Sequence, residues 1–243
     1  MSEALVIIPT YNERENIKPL CEQVLAQLPI CDILIVDDGS PDGTGALADE
    51  LHAREPRIHV LHRSGKLGLG TAYIAGFRYA LANGYEYIFE MDADFSHDPA
   101  YLPSLLAAAQ GARGGPGDDG ADVVIGSRRI PGGGTENWGL IRQLVSAGGS
   151  LYARTILGLP VRDLTSGFKC FRRRVLSTID LDAVRSNGYS FQIEVTYRAS
   201  QAGFRIAEVP IVFVDRRVGQ SKMSGTIFAE ALTMVWKLRL GLA

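Results

Sequence analysis

Two aspartates one residue apart, Asp92 and Asp94, follow directly on the aromatic and aliphatic run Tyr85 to Phe89. Carboxylates at that spacing suit a hard divalent cation, and such a cation is commonly shared with phosphate oxygens. The pair therefore reads as a metal–diphosphate site. It also fits an Asp-rich turn that solvates a strand end, and the short spacing alone does not separate the two. Other charged groups recur after apolar runs. Glu13 follows Ala4–Ile8, Asp37 and Asp38 follow Ile33–Val36, and Arg128 and Arg129 follow Val123–Ile125. A carboxylate after a second strand is well placed to accept hydrogen bonds from a ribose or base. Arginine at the same sheet edge suits a phosphate, with ordinary surface charge as the alternative. A basic loop, Asp215 to Lys222, closes the series after Val209–Val214.

These residues need strands to carry them. Ala4–Ile8 is apolar without alternation, as expected of a parallel strand buried on both faces, and Pro9 ends the run. Asn12, with Glu15 three residues on, fits a capping box. Behind it Ile17, Leu20, Cys21, Val24, Leu25 and Leu28 form a helical stripe. Ile33–Val36 and Ile58–Leu61 are further strands. Gly68 to Ala82 is a small-residue helix stopped by Asn83-Gly84. Gly68-Leu69-Gly70 lacks the third glycine of a dinucleotide loop, and the basic segment Arg63–Lys66 separates it from its strand. Asp98-Pro99 opens another helix with a cap and a first-turn proline. Strand–helix alternation repeated four times predicts a mostly parallel sheet with helices on both faces. Beyond the Gly-rich loop 111–120 and the fifth strand, Trp138–Leu159 reads as a long apolar–basic helix. Asp163–Phe171 leads to a short strand, and Gly188–Glu194 starts a helix. Val209–Val214 is an edge or irregular strand broken at Pro210. Thr226–Leu240 is an amphipathic tail whose Trp236, Lys237 and Arg239 suit a headgroup layer.

The chain has 243 residues, enough for one large α/β domain or two small ones. A formal net charge of −2 leaves no basic footprint for nucleic acid, although arginines concentrate in the second half. Three scattered cysteines, Cys21, Cys31 and Cys170, suggest a reducing compartment and neither disulfides nor zinc. The start Met1-Ser2-Glu3-Ala4 shows no signal peptide, and no apolar run of about 18 residues predicts a transmembrane helix.

Taken together, Val6–Glu13, Val36–Thr44, Met91–Asp94, Asp163–Phe168, Gly188–Gln192, Asp215-Arg216 and Gly219–Lys222 resemble the polyprenol-phosphate (dolichyl-phosphate) mannose synthases of family 2 glycosyltransferases, in the same order. The likeness is narrowest to the actinobacterial-type catalytic domain and covers Leu5 to about Leu232. It implies a GT-A fold: α/β, Rossmann-like, with amphipathic interface helices and no transmembrane helix. It implies inverting transfer of mannose from GDP-mannose to a polyprenyl phosphate, with Mg2+ or Mn2+. By motif position Pro9, Tyr11, Glu13, Val36 and Asp38 would hold the guanosine. Asp92, Ala93 and Asp94 would lie at the diphosphate and metal, with Asp94 the direct ligand. Arg128, Arg216 and Lys222 would contact phosphates. Ser96 stands where some relatives carry a metal-ligating glutamine and is shorter, so a water could intervene. A single domain over 1–243 follows: about 1–127 for nucleotide and metal, about 128–225 for the acceptor, and 226–243 as the amphipathic helix. The expected place is the cytoplasmic face of a membrane, held by amphipathic surface or a membrane-anchoring partner protein. Two other readings remain at this stage: another donor such as UDP-glucose, and a non-catalytic sugar-nucleotide-binding module.

Overall fold

A computed structural model describes residues 2–111, 119–186, 188–214 and 225–242, the side chains of residues 140–142 and 225–231 excepted. In chain order the elements are β1 (Ala4–Thr10), α1 (Arg14–Gln27), β2 (Cys31–Asp37), α2 (Thr44–Arg54), β3 (Ile58–His62), α3 (Leu69–Ala82) and β4 (Tyr87–Glu90). A 3-10 turn at Pro99–Tyr101 leads into α4 (Leu102–Gln110). Then come β5 (Val123–Ser127), β6 (Gly134–Glu136), α5 (Leu140–Leu157), β7 (Lys169–Arg172), α6 (Arg173–Thr178), α7 (Gly188–Gln201), β8 (Ile206–Pro210), β9 (Val212–Val214) and α8 (Gly225–Arg239).

Seven strands form one sheet in the order β3-β2-β1-β4-β7-β5-β8. Only β7 runs against its neighbours, β4 and β5. The unbroken apolar sequence of β1 has a simple cause. Leu5 and Ile7 enter the core shared with α3, α5, α7 and α8, while Val6 and Ile8 enter the core shared with α1, α2 and α4. Both faces are covered, so no position is left for a polar side chain. The small residues of α3 let that helix approach closely: a Cβ on Gly76 would stand 2.6 Å from Ile7 Cγ2.

Three local expectations are corrected. Pro9 lies inside β1, paired with Val36, and does not end it. Asn12 forms no capping box; it takes φ 62°, and Glu13 precedes α1 without a side-chain cap of its own. The β2–α2 loop supplies the caps instead. Ser40 Oγ accepts from Asn12 N, Thr44 Oγ1 from Glu13 N, and Asp42 Oδ2 from Arg14 N, at 3.0, 3.0 and 3.2 Å. Trp138 precedes its helix and is buried against Arg128 and Phe213. The run Val209–Val214 is broken at Pro210 as expected: Pro210 ends the edge strand β8 beside β5, and β9 then pairs with β6 in a second sheet. The cap at Asp98 forms as expected, accepting from Ala100 N at 2.9 Å.

Candidate active site

Parallel β1, β2, β4 and β5 end on one edge of the sheet, which gathers Tyr11, Asp38, Asp92 with Asp94, and Arg128. The two aspartates after β2 divide their work. Asp37 is buried and accepts from Thr10 Oγ1 at 3.0 Å and Ser40 Oγ at 2.6 Å, so it locks β1 to the following loop. Asp38 faces a segment that follows β3. Its Oδ2 accepts from Leu67 N at 3.1 Å, and Arg63 Nε lies 3.1 Å from its Oδ1, close enough for an ion pair but off hydrogen-bond geometry. Lys66 Nζ stands 4.3 Å over the Tyr11 ring. Arg63 and Lys66 thus join the wall made by Tyr11 and Asp38. Sequence reasoning treated them only as a basic spacer; their place after a parallel strand was the usable signal. Val36 is fully buried in the core, so its side chain is not part of that wall, and its contribution is to carry Asp37 and Asp38.

Asp92 and Asp94 are held differently. Tyr73, buried on α3, donates to Asp92 Oδ1 at 3.3 Å, and its ring stacks on Phe191 of α7 at 5.8 Å. Asp94 is 8% exposed, and its Oδ1 accepts from Ser96 N at 3.1 Å and Ser96 Oγ at 2.5 Å. The Ser96 hydroxyl proton is therefore committed to orienting Asp94. Among the described residues no group of three or more His, Cys, Asp or Glu could enclose a metal by itself. The donor set still fits Mg2+ or Mn2+, which bind through one or two carboxylates and complete their shell with phosphate and water.

His97, in the same loop, is enclosed by the protein. It is buried between Phe168 and Phe213, and its Nδ1 accepts from the backbone N–H of Asp92 at 3.1 Å. Burial pushes its pKa down to about 4, against the opposing charge of Asp94, so it is neutral at physiological pH.

Arg128 is more enclosed than its expected phosphate role implies. Its Nε and Nη2 both donate to the Asp163 carboxylate at 2.7 Å, and Nη2 also reaches Thr165 Oγ1 at 2.9 Å. Its guanidinium packs 5.6 Å from the Trp138 ring and 5.3 Å from the Phe213 ring. Burial works against both charges, but their mutual attraction prevails: the Asp163 pKa is lowered and that of Arg128 raised. A phosphate would have to share this guanidinium with Asp163. Arg216 and Lys222, the other expected phosphate contacts, lie outside the described residues.

Beneath the site is a buried charge pair that the sequence did not reveal. Glu90 ends β4 opposite Lys169 of β7, and both are fully buried. Burial pushes the Glu90 carboxyl up to about 7 and the Lys169 ammonium down to about 8, while each charge opposes the other's shift. A carboxyl with a folded pKa above its ordinary 4.5 holds a proton that the unfolded chain has released. Its contribution to stability is therefore full below pH 4.5 and is lost as pH rises towards 7. The melting-temperature difference between the wild type and Glu90→Gln should shift steadily over that window, to the disadvantage of the wild type. A difference that stays constant with pH would contradict the raised pKa.

A model of the family described as glycosyl transferase family 2 matches residues 5–180. An undecaprenyl-phosphate mannosyltransferase of Micrococcus luteus is 51% identical over 239 residues, 98% of this chain and 94% of its own. The chain belongs to the family 2 glycosyltransferases. A polyprenol monophosphomannose synthase of Mycolicibacterium smegmatis is also 51% identical to this glycosyltransferase, over 97% of this chain and 87% of that one. In fold it is similar to a glucosyl-3-phosphoglycerate synthase of Mycobacterium tuberculosis, solved with Mn2+, UDP and glucosyl-3-phosphoglycerate. The TM-score is 0.66 at 18% identity, covering 100% of this chain and 81% of that one. The glycosyltransferase therefore has a GT-A fold, and no helix among the described residues is long and apolar enough to cross a membrane.

Proposed function

We propose that this glycosyltransferase moves mannose from GDP-mannose to a polyprenyl phosphate, with inversion at the anomeric carbon. The observation that carries the reading is the 51% identity, over nearly the whole chain, to two proteins named for mannosyl transfer to polyprenyl phosphates. The cleft agrees chemically. Asp94, oriented by Ser96, is the metal ligand, and Ser96 supports it without being a ligand itself. Mg2+ or Mn2+ bound there would offset charge on the departing diphosphate. Pro9, Tyr11, Glu13 and Asp38 hold the guanosine, extended by Arg63 and Lys66. Asp92 faces the sugar side, Ala93 links it to the metal ligand at the diphosphate, and Arg216 and Lys222 offset the negative charge of donor and acceptor. A phosphate monoester has a second pKa near ~6, so the acceptor is already anionic at neutral pH and needs no general base. That agrees with the burial of His97, whose Nδ1 is already taken by the Asp92 backbone N–H. Residues 1–127 form the nucleotide half and about 128–225 the acceptor half.

The lipid acceptor also gives a use to exposed apolar side chains. Leu144 and Leu151 of α5 are 72% and 59% exposed, and Trp236 of α8 is 50% exposed. The two helices touch, with Tyr152 Oη donating to the carbonyl of Leu232 at 3.2 Å. Val235 and Leu238 bury the opposite side of α8 in the core, so the tail is both a packed helix and an amphipathic surface. In this reading that surface rests on the cytoplasmic face of a membrane, alone or with an anchoring partner protein.

The test is transfer of radiolabelled mannose from GDP-mannose to a short polyprenyl phosphate in micelles with Mg2+ or Mn2+, beside a panel of UDP- and GDP-sugars. Labelled lipid that forms with GDP-mannose and disappears on chelation is the expected result. Equal or better transfer from UDP-glucose would overturn the donor assignment, and binding of sugar nucleotide without turnover would leave a non-catalytic module.

A further inference from the structure

A buried phenol holds the carboxylate of Asp92. Tyr73, on α3, has no exposed surface. Its ring stacks on Phe77 and Phe191, with centroids 6.3 and 5.8 Å apart, and Phe77 meets Phe171 edge-on at 5.5 Å. The other members of this stack are apolar throughout. A phenylalanine at position 73 would complete it without the cost of burying a hydroxyl. The bond that the hydroxyl makes instead is to a residue 19 positions away at the sheet edge: Oη donates to Asp92 Oδ1 at 3.3 Å. Burial first, then the charges of Asp92, Glu90 and Asp94, push the phenol pKa well up, so the proton stays on the oxygen and the group remains a donor.

Asp92 receives a different kind of support from its own loop. Its backbone N–H donates to His97 Nδ1 at 3.1 Å. That nitrogen is the acceptor in this bond and carries no proton there. It lies 3.9 Å from Asp92 Oδ2, yet it has no hydrogen to give the carboxylate. His97 therefore fixes the backbone of Asp92, and Tyr73 bears on where the carboxylate points. The Asp92 side chain is 32% exposed, so it still reaches open space at the sheet edge. A half-exposed carboxylate on a loop has several rotamers available, and a misplacement of ~1 Å near a reacting centre can cost about 10²-fold in rate.

We infer that Tyr73 is a positioning residue for Asp92: its hydroxyl, held rigid by the aromatic stack between α3 and α7, aims the Asp92 carboxylate at the transferred sugar. The inference rests on the sugar-nucleotide donor proposed above.

A double-variant cycle tests it. Tyr73→Phe removes one oxygen and keeps the stack, so the fold should tolerate it. Transfer to a short polyprenyl phosphate, melting temperature and calorimetric affinities for GDP and GDP-mannose are measured for Tyr73→Phe, Asp92→Ala and the two together. Tyr73→Phe should lose roughly tenfold in kcat/KM for GDP-mannose, the effect of one hydrogen bond to a charged group, with GDP affinity unchanged. Beside Asp92→Ala the same change should cost nothing further, because the group it acts through is gone. The inference is overturned if kcat/KM is unaltered in Tyr73→Phe, if the loss recurs in full beside Asp92→Ala, or if GDP affinity falls in step with transfer. A hydroxyl that served only the fold would lower the melting temperature and leave kcat/KM alone. A wild type that prefers another sugar nucleotide defeats the proposed donor instead, and the same cycle with that donor then decides the role of Tyr73. For a wild type that binds GDP-mannose without turnover, the affinity gap between GDP-mannose and GDP decides it: the gap narrows in Tyr73→Phe if Tyr73 aims Asp92 and is unchanged if it does not.

Discussion

Asp94→Ala should lower transfer by about 10³-fold or more while leaving the melting temperature within a few degrees of the wild type. The magnitude follows from what a divalent ion contributes: several kcal/mol of charge stabilisation on a departing diphosphate, at ~1.4 kcal/mol per factor of ten. The modest stability effect follows from the packing. The bonds from Ser96 N and Oγ to Asp94 Oδ1 span two residues of one loop, so losing them loosens that loop locally. Ser96→Ala separates ligation from orientation. It removes the 2.5 Å bond that aims Asp94 but keeps the carboxylate. The expected result is a several-fold higher metal concentration for half-maximal transfer, with near-normal rate at saturating Mg2+ or Mn2+, because one hydrogen bond is worth ~1 kcal/mol. A metal titration of both variants reads this directly. Near-wild-type transfer by Asp94→Ala would remove Asp94 from the metal site. A rate deficit in Ser96→Ala that no metal concentration restores would make Ser96 a ligand in its own right.

The parts of this architecture that were legible in the sequence are those set by local pattern. The unbroken apolar runs of β1 and β2, the stripe from Ile17 to Leu28 and the stop at Asn83-Gly84 each follow from short-range burial or backbone preference. Because β1, β2, β4 and β5 are parallel, knowing that charged residues follow these strands was enough to gather them at one edge. What pattern could not supply were the partners. The spacing from Asn12 to Glu15 suggested a self-contained cap, yet the groups that cap α1 come from Ser40, Asp42 and Thr44, about 28 residues away in sequence. A local signature was overridden by a loop that only the β1–β2 pairing brings near. Glu90 and Lys169 were invisible for the same reason. Each sits at the end of a short strand, and only the antiparallel insertion of β7 sets one opposite the other. Arg128 shows the limit most sharply. Its position at the end of β5 was read correctly, but position does not reveal that Asp163 lies against it.

That pairing carries the second large expectation. Asp163→Ala should destabilise the fold by about 3–5 kcal/mol, the usual consequence of stripping the partner from a buried charge. For a chain of this length that corresponds to a drop of roughly 6–20 °C in melting temperature. The Arg128 and Asp163 side chains are 4% and 0% exposed, so water cannot replace the lost carboxylate. The loss would spread beyond the pair. Asp163 Oδ2 also accepts from Arg128 N at 3.0 Å, and the backbone N–H groups of Arg162 and Asp163 donate to Glu208 of β8, so one short segment fastens the end of β5 to the sheet edge. Trp138 and Phe213 pack on the same guanidinium and would lose a fixed surface. A double variant distinguishes charge from shape. Arg128→Met with Asp163→Leu leaves no unpaired ion and should recover much of the stability, since apolar replacement of a buried ion pair is often close to neutral. Its transfer activity is then informative. If Arg128 serves only to hold the loop that carries Asp163, the stable double variant should keep measurable transfer. If the guanidinium also touches a phosphate, stability returns and transfer does not. Thermal unfolding of the single and double variants checks the pairing, and a melting temperature for Asp163→Ala within about 2 °C of the wild type would contradict an energetically important buried pair.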